Sequence, residues 1–216
     1  MSKYLEIIIT QLKPEHLADF LASAGEHIAL AEKHGIRILG NFITECGGDG
    51  VEVVCLQAWD SIEERRAARA AASGDPAWQT FWLKMTPWLR SFQTHLTLLT
   101  IGSDASQLST SKNLVMEALN VNGSPVAARK TLAQMEEAYK KECPDCPLNT
   151  LARAYTIFSC DAPIIWQFYE ADGMERLVDD WFGSCLEDEE KAAEMKEIFD
   201  KVSLKHCRLL APLPMQ

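Results

Sequence analysis

The stretch VVCLQAWDSIEERRA (residues 53–67) returns in altered form as PIIWQFYEADGMERL (residues 163–177). A second pair of similar stretches, THLTLL (residues 94–99) and KHCRLL (residues 205–210), is separated by about the same 110 residues. Repetition at this length exceeds the 20–50 residues that are typical of solenoid repeats. It indicates two similar folded units in one chain.

Composition and charge narrow the class of protein. The chain has 216 residues, of which 47% are hydrophobic, and a formal net charge of −10. This acidity repels phosphate backbones, so we expect no nucleic-acid partner. No apolar run approaches the ~20 residues of a membrane span, and the N-terminus has no signal-like pattern. Seven scattered cysteines fit a reducing compartment, so the sequence predicts a cytoplasmic protein.

The two units share one order of elements. In the first unit we predict a strand, a helix, two strands, two helices and a strand over residues 4–12, 14–34, 36–45, 51–59, 61–72, 76–92 and 94–101. The helix over residues 76–92 is expected to be interrupted near Pro87. In the second unit we predict strands over residues 113–121, 151–159, 163–169 and 204–211. This order is typical of an α+β, ferredoxin-like unit with a four-stranded antiparallel sheet and helices on one face.

Domain bounds and assembly follow from this order. We expect a first unit over residues 1–103, a small polar linker over residues 104–111 and a second unit over residues 112–216. The uncovered face of each sheet must be buried. Two tandem sheets can do this by packing face to face as an intramolecular α+β barrel. A monomeric barrel is therefore possible, and a homodimer also fits.

A specific resemblance lies in residues 56–99. A strand ends in Trp59 and is followed by an acidic residue, then by Ser61, Arg65-Arg66 and the sequence Asp-Pro-Ala-Trp at residues 75–78. These features resemble the NIPSNAP family of the dimeric α+β barrel superfamily. The second unit matches in outline, with Tyr169 at the position of Trp59. The resemblance implies two tandem NIPSNAP-like copies.

Strand alternation predicts which side chains line the barrel. We expect the apolar Leu5, Ile7 and Ile9 to pack on the helices, and Trp166 and Phe168 likewise. The side chains expected inside the barrel are Tyr4, Glu6, Gln57, Trp59 and His95 from the first unit and Gln167, Tyr169, His206 and Arg208 from the second.

Two of the residues expected in the cavity suggest a catalytic role. Glu6 and His95 would form a proton-handling pair, because a carboxylate beside an imidazole in a dry site fixes its tautomer and its basicity. The remaining inward residues would bind substrate. The alternative is a structural network in which these polar groups satisfy one another. The first unit has the more polar set, so we expect the working pocket there and a closing wall from the second unit.

The remaining motifs in the sequence give weaker evidence of function. Cys143 and Cys146 have zinc-site or thioredoxin-like spacing, but no second such pair follows, so no metal is predicted. The acidic run over residues 187–190 fits a solvated helix start. The aromatic side chains that recur at helical spacing, which favours a core, are Trp78, Phe81, Trp82, Trp88 and Phe92.

The resemblance implies three functions. The first is an enzyme that binds an apolar or aromatic small molecule and performs oxygenation, cyclisation or isomerisation without a cofactor. The second is a haem-binding member of the superfamily. The third is a non-catalytic sensor or interaction protein. A fold does not choose among these alternatives.

Overall fold

The structure is a computed structural model. It describes residues 2–100, 103–109, 113–121, 149–158, 164–170 and 202–213, with isolated positions between residues 126 and 137. Cys143, Cys146 and the acidic run over residues 187–190 lie outside the described residues. Among the described residues, no helix is long and apolar enough to cross a membrane.

The described elements follow the predicted order. The first unit contains β1 (Tyr4–Leu12), α1 (Leu17–Ala22), α2 (Ala24–Lys33), β2 (Arg37–Cys46), β3 (Val51–Trp59), α3 (Ile62–Ser73), α4 (Pro76–Met85) and β4 (Leu89–Leu99). The second unit contains β5 (Leu114–Val121), β6 (Asn149–Phe158), β7 (Ile164–Glu170) and β8 (Val202–Pro212). Short 3-10 turns cover Pro14–His16, Thr86–Trp88 and Ala105–Ser109.

Local chemistry sets the helix ends. The Ser61 side chain accepts from the Glu64 N–H, and the Glu64 carboxylate reaches back to the N-cap backbone, which is a capping box. Asp75 caps α4 by accepting the Ala77 N–H at 2.9 Å. The helix predicted from residue 76 ends before Pro87, where an interruption was expected because proline cannot supply a helical N–H. Its expected continuation to residue 92 is wrong, because residues 89–92 belong to β4. α4 therefore ends at Met85, and a 3-10 turn leads into β4.

The eight strands form a closed barrel in the order β1-β3-β2-β8-β5-β7-β6-β4. Each unit contributes a four-stranded sheet whose order, counted within the unit, is 4-1-3-2. The sheets join where β2 pairs with β8 and where β4 pairs with β6. The prediction of two tandem ferredoxin-like units closed into an intramolecular α+β barrel is confirmed.

The barrel interior is filled by apolar side chains from both units. Its core contains Leu5, Ile7 and Ile9 of β1, together with Trp166 and Phe168 of β7. Leu108, from the connection between the units, also joins this core and is 0% exposed. The predicted linker therefore contributes to the barrel core as well as joining the units.

The predicted strand phase is wrong for β1, β3 and β7. Tyr4 and Trp59 pack on the helix side of the sheet, and Glu6 and Gln57 bond to α3 there. Gln167 and Tyr169 alternate with the core residues Trp166 and Phe168, so they also face outward. The physical reason is that these strands are buried on both faces, so alternation defines two phases without assigning either to a face. The more apolar phase of each strand fills the space between the sheets.

Candidate functional site: a pocket between the sheet and the helices

The main pocket of the first unit lies between the outer face of its sheet and its helices. It contains about 620 Å³ of space, its open mouth included. The side chains that form its floor come from the outward phase of β1 and β3 and are Ile8, Thr10, Val53, Cys55 and Gln57. Side chains of α1 to α4 cover it, and Leu213 of the second unit completes it. This pocket belongs to the first unit, but it lies outside the barrel, where the working pocket was expected.

Aromatic side chains form most of the cover. Phe20, Phe81, Trp82 and Phe92 all line the pocket. Trp82 meets Phe81 and Phe92 edge to face, with ring centroids 5.8 and 5.7 Å apart. Phe92 is 47% exposed and so lies near solvent. Part of the aromatic cluster predicted as core therefore forms a wall that suits a flat, apolar ligand.

A cationic group lies on the polar side of the pocket. Arg69 Nη2 donates to Gln57 Oε1 at 2.8 Å and to Glu6 Oε2 at 3.1 Å. Among the described hydrogen bonds, no contact uses the N–H groups on Nε and Nη1 of Arg69. Because a guanidinium has five N–H donors in a fixed fork, the arrangement positions Arg69 and keeps donors available to a ligand.

Glu6 holds the two arginines of α3 in place. Its carboxylate accepts from Arg65 Nη2 at 2.6 Å, from Arg65 Nε at 3.0 Å and from Trp59 Nε1 at 3.0 Å, besides Arg69. Burial alone would raise the pKa of Glu6, but the hydrogen bonds and charges of Arg65 and Arg69 outweigh it and lower that pKa. One carboxylate thus faces two guanidinium groups, which leaves a surplus positive charge beside the pocket.

His27 of α2 lines the same pocket. Its ring stacks on Phe81 with centroids 5.6 Å apart and planes 9° apart. Burial, followed by the charge of Arg69, lowers the pKa of His27 to about 4. The imidazole is therefore neutral at pH 7 and can accept a proton or a hydrogen bond. Burial raises the pKa of the nearby Cys55 thiol to about 12, so that thiol stays protonated.

The pocket is elongated along β3. Gln57, beside Arg69, and Val53, beside Leu213, point to the same side of the strand. They are four residues apart, which corresponds to about 13 Å at ~3.3 Å per residue. The Arg69 end is charged, whereas the Leu213 end is uncharged and mostly apolar, with Thr10 opposite Val53 as a polar member. The pocket therefore suits a molecule with one polar end and an apolar body.

The predicted Glu6–His95 pair does not form. In the register of β1 with β4, Glu6 lies opposite Leu96 and Ile7 lies opposite His95. Because successive side chains alternate, Glu6 points to the helices and His95 points into the barrel. The His95 ring lies against Trp166, with centroids 4.9 Å apart. The pairing failed because the phase of β1 was predicted wrongly.

The other predicted residues fall into three places. Gln57 lines the pocket, and Tyr4 and Trp59 pack beside it under the helices. Gln167 lies on the outer face of the second sheet, where it accepts from Arg153 Nε at 2.6 Å and donates to Glu117 Oε2 at 3.5 Å. Tyr169 packs on the same face, against Val115 and Leu209. Arg208 is buried in an ion pair with Glu52, and His206 pairs with Ala118 across β5 and β8.

Three residues of the pocket were not predicted from the sequence: Arg69, His27 and Leu213. Arg69 had a detectable signal, because Arg65 and Arg69 are four residues apart and share a helix face. His27 lies among apolar positions of α2 without a partner pattern. Among the described residues, no group of three or more His, Cys, Asp or Glu side chains is arranged to hold a metal ion.

Comparisons with known proteins agree with this fold. Residues 5–103 match the NIPSNAP family. A NIPSNAP-like domain protein from Burkholderia xenovorans is 28% identical, covering 48% of this chain and 89% of that chain, with a TM-score of 0.44. No curated protein matches the sequence.

Two solved structures match nearly the whole chain. An anthrone oxidase-like protein has a TM-score of 0.62 and 11% identity, covering 100% of this chain and 97% of that chain. A candidate monooxygenase from Fusobacterium nucleatum subsp. nucleatum ATCC 25586 has a TM-score of 0.59 and 9% identity, covering 98% and 93%. At these identities the likeness shows the fold alone. Residues 5–103, which match the NIPSNAP family, form one half of an α+β barrel whose other half the same chain supplies.

Proposed function

We propose that the protein is an enzyme that binds a largely apolar, aromatic small molecule in the pocket of the first unit and promotes its oxygenation without a cofactor. The observation that carries the proposal is the surplus positive charge of Arg69 at one end of an aromatic pocket. A partly buried cation favours a ligand that carries or develops negative charge. A phenol or an enolisable aromatic ketone combines that property with a flat apolar body.

The chemistry follows from the two groups nearest such a ligand. Neutral His27 accepts a proton from the acidic hydroxyl or from the carbon next to the carbonyl group, and Arg69 stabilises the resulting phenolate or enolate. Burial is the main cause of the low pKa of His27, and the charge of Arg69 is the smaller one. The anion offsets that smaller contribution, so the imidazole becomes a better base with substrate bound.

Dioxygen is the co-substrate in this scheme. The electron-rich carbanion adds O2 to give a hydroperoxide after protonation. The hydroperoxide then loses water to give a ketone. One oxygen atom of O2 enters the product, and the other leaves in water with the two hydrogens of the original CH2 group. The reaction type is also supported by the whole-chain structural likeness to proteins described as a candidate monooxygenase and as anthrone oxidase-like.

The experiment measures O2 consumption and anthraquinone formation with anthrone as probe, corrected for the reaction without protein. The test variant is Arg69→Gln, and the matched control is Arg66→Gln, which removes an exposed arginine from the same helix. We expect Arg69→Gln to lower kcat/KM by about 10²-fold, the scale of losing one group that stabilises developing negative charge, and Arg66→Gln to leave it within about twofold. Equal activity of wild type and Arg69→Gln would overturn the proposal.

The two alternatives have separate signatures. A sensor would hold the probe, seen by native mass spectrometry, without consuming O2. A haem protein would show a Soret band. His95, which faces the barrel interior, is 4% exposed, and its ring lies tilted against Trp166 with centroids 4.9 Å apart, which argues against a macrocycle beside it.

A further inference from the structure

We propose that Leu213, supplied by the second unit, determines how long a ligand the pocket of the first unit accepts. The proposal rests on ligand binding at the site proposed above. It assigns a specificity-determining residue on the far side of the junction between the two units.

The backbone holds Leu213 firmly in this position. Phe42 of β2 pairs with Pro212, the last residue of β8. The Leu213 N–H then donates to the Asn41 carbonyl oxygen at 2.9 Å. Asn41 itself lines the pocket, so the strand pairing that joins the two units also fixes this wall.

The side chain of Leu213 is buried among residues of the first unit. It is 6% exposed and forms a hydrophobic cluster with Leu12 and Val53. The partly buried side chains packed against this cluster include Leu17, Phe20 and Leu21 of the first unit. The pocket of the first unit is therefore incomplete without the second unit.

The position of Leu213 makes it an end stop. A ligand anchored at Arg69 extends along β3 from Gln57 toward Val53, a span of about 13 Å. Leu213 lies beside Val53 at the far end of that span. This length matches an aromatic skeleton of about three fused six-membered rings. A shorter ligand would not reach Leu213, whereas a longer one would collide with it.

The test compares the affinity of the full chain for phenol, 2-naphthol and 2-hydroxyanthracene, measured by isothermal titration calorimetry without turnover under anaerobic conditions. The variants are Leu213→Ala, which shortens the wall, and Leu213→Trp, which fills the end of the pocket. The matched control is Leu204→Ala, because Leu204 belongs to β8, the strand that leads to Leu213, and is 51% exposed. Thermal melting checks that each variant is folded, and Leu213→Ala keeps the test valid if Leu213→Trp fails to fold.

We expect Leu213→Trp to weaken the binding of 2-hydroxyanthracene by at least tenfold and to change the affinity for phenol by less than about twofold. Leu213→Ala should weaken the binding of 2-hydroxyanthracene alone, by about fivefold, because apolar contact is lost. Leu204→Ala should leave the affinity for all three probes unchanged. A Leu213 effect of equal size on all three probes, or none, overturns this inference and leaves the proposed function intact. A length-dependent effect in a protein that never consumes O2 supports the inference and overturns the proposed chemistry. Failure of the wild type to bind any probe overturns both.

Discussion

Glu6 and Glu117 occupy equivalent positions in the two units, each opposite a glutamine in the register of its sheet, Gln57 and Gln167 respectively. Their surroundings shift the pKa values of the two carboxyl groups in opposite directions. Glu6 accepts hydrogen bonds from two arginines, which lower its pKa. Burial raises the pKa of Glu117 to about 7, and a hydrogen bond from Tyr169 and the charge of Arg153 only partly offset this. The two units therefore differ in charge where their backbones are alike.

Glu6→Gln should destabilise the fold at pH 7. Glu6 is 1% exposed while Arg65 and Arg69 are about a quarter exposed, so the change leaves two partly buried cations without their carboxylate. We expect a loss of about 3 kcal/mol in the free energy of unfolding, the low end for breaking a buried ion pair. Urea denaturation measures it.

The pH dependence of stability provides a control for the Glu6→Gln prediction. Its pKa in the folded protein lies below the ordinary value of 4.5, so its contribution is present above pH 4.5 and is lost as the pH falls further. The difference between wild type and Glu6→Gln should therefore narrow below pH 4.5. A difference that stays constant from pH 7 down to pH 3 would mean that the Glu6 carboxylate is not its source.

Glu117→Gln should have the opposite pH dependence. The pKa of Glu117 is about 7 in the folded protein against an ordinary 4.5, so its contribution is complete below pH 4.5 and is lost as the pH rises through 7. The amide that replaces the carboxyl group cannot ionise. Between pH 4.5 and pH 8 the free energy of unfolding of the variant should therefore rise by up to about 3 kcal/mol relative to wild type. Each unit of difference between the folded and ordinary pKa corresponds to about 1.4 kcal/mol. Parallel stability curves for the two proteins would contradict this.

His95→Ala should affect stability and leave the pocket intact. His95 is buried inside the barrel against Trp166, on the opposite face of the sheet from the pocket. Removing the ring leaves a cavity in the core, which costs on the order of 2 kcal/mol. We expect a lower melting temperature with anthrone turnover unchanged in the folded protein. A large loss of turnover at unchanged stability would restore the catalytic role first expected for His95.

The fold could be predicted because its signals are local. The capping box at Ser61 and the glycine-rich turn before β3 each define an element from neighbouring residues alone, and the repeat of residues 53–67 at 163–177 extends the same reading to the second unit. The face of each strand could not be predicted in the same way. Leu5 and Glu6 are neighbours on opposite faces and are both 0% exposed. Burial of both faces removes the contrast between core and solvent on which alternation depends.

Only the part of the site that lies on one strand could be predicted from the sequence. Gln57 was identified because its position in the repeat singles it out, although it was expected on the other face. Leu213 reaches the pocket from a strand about 160 residues away in sequence from Val53, its neighbour in space. No local pattern encodes such a contact, because it depends on how β2 and β8 pair.

The internal repeat supplies its own control for the pocket. Gln57 and Gln167 are equivalent in sequence and in register, but only Gln57 lines the pocket of the first unit among the described residues. Gln57→Ala removes the oxygen that accepts from Arg69 at 2.8 Å, so the guanidinium loses part of its positioning. We expect Gln57→Ala to weaken 2-hydroxyanthracene by about tenfold, the equivalent of about 1.4 kcal/mol for a lost hydrogen bond to a charged group. Gln167→Ala should change that affinity by less than about twofold, because its partner Arg153 belongs to the second unit. Calorimetric titration of both variants decides the matter, and equal losses would show that the two units offer equivalent pockets.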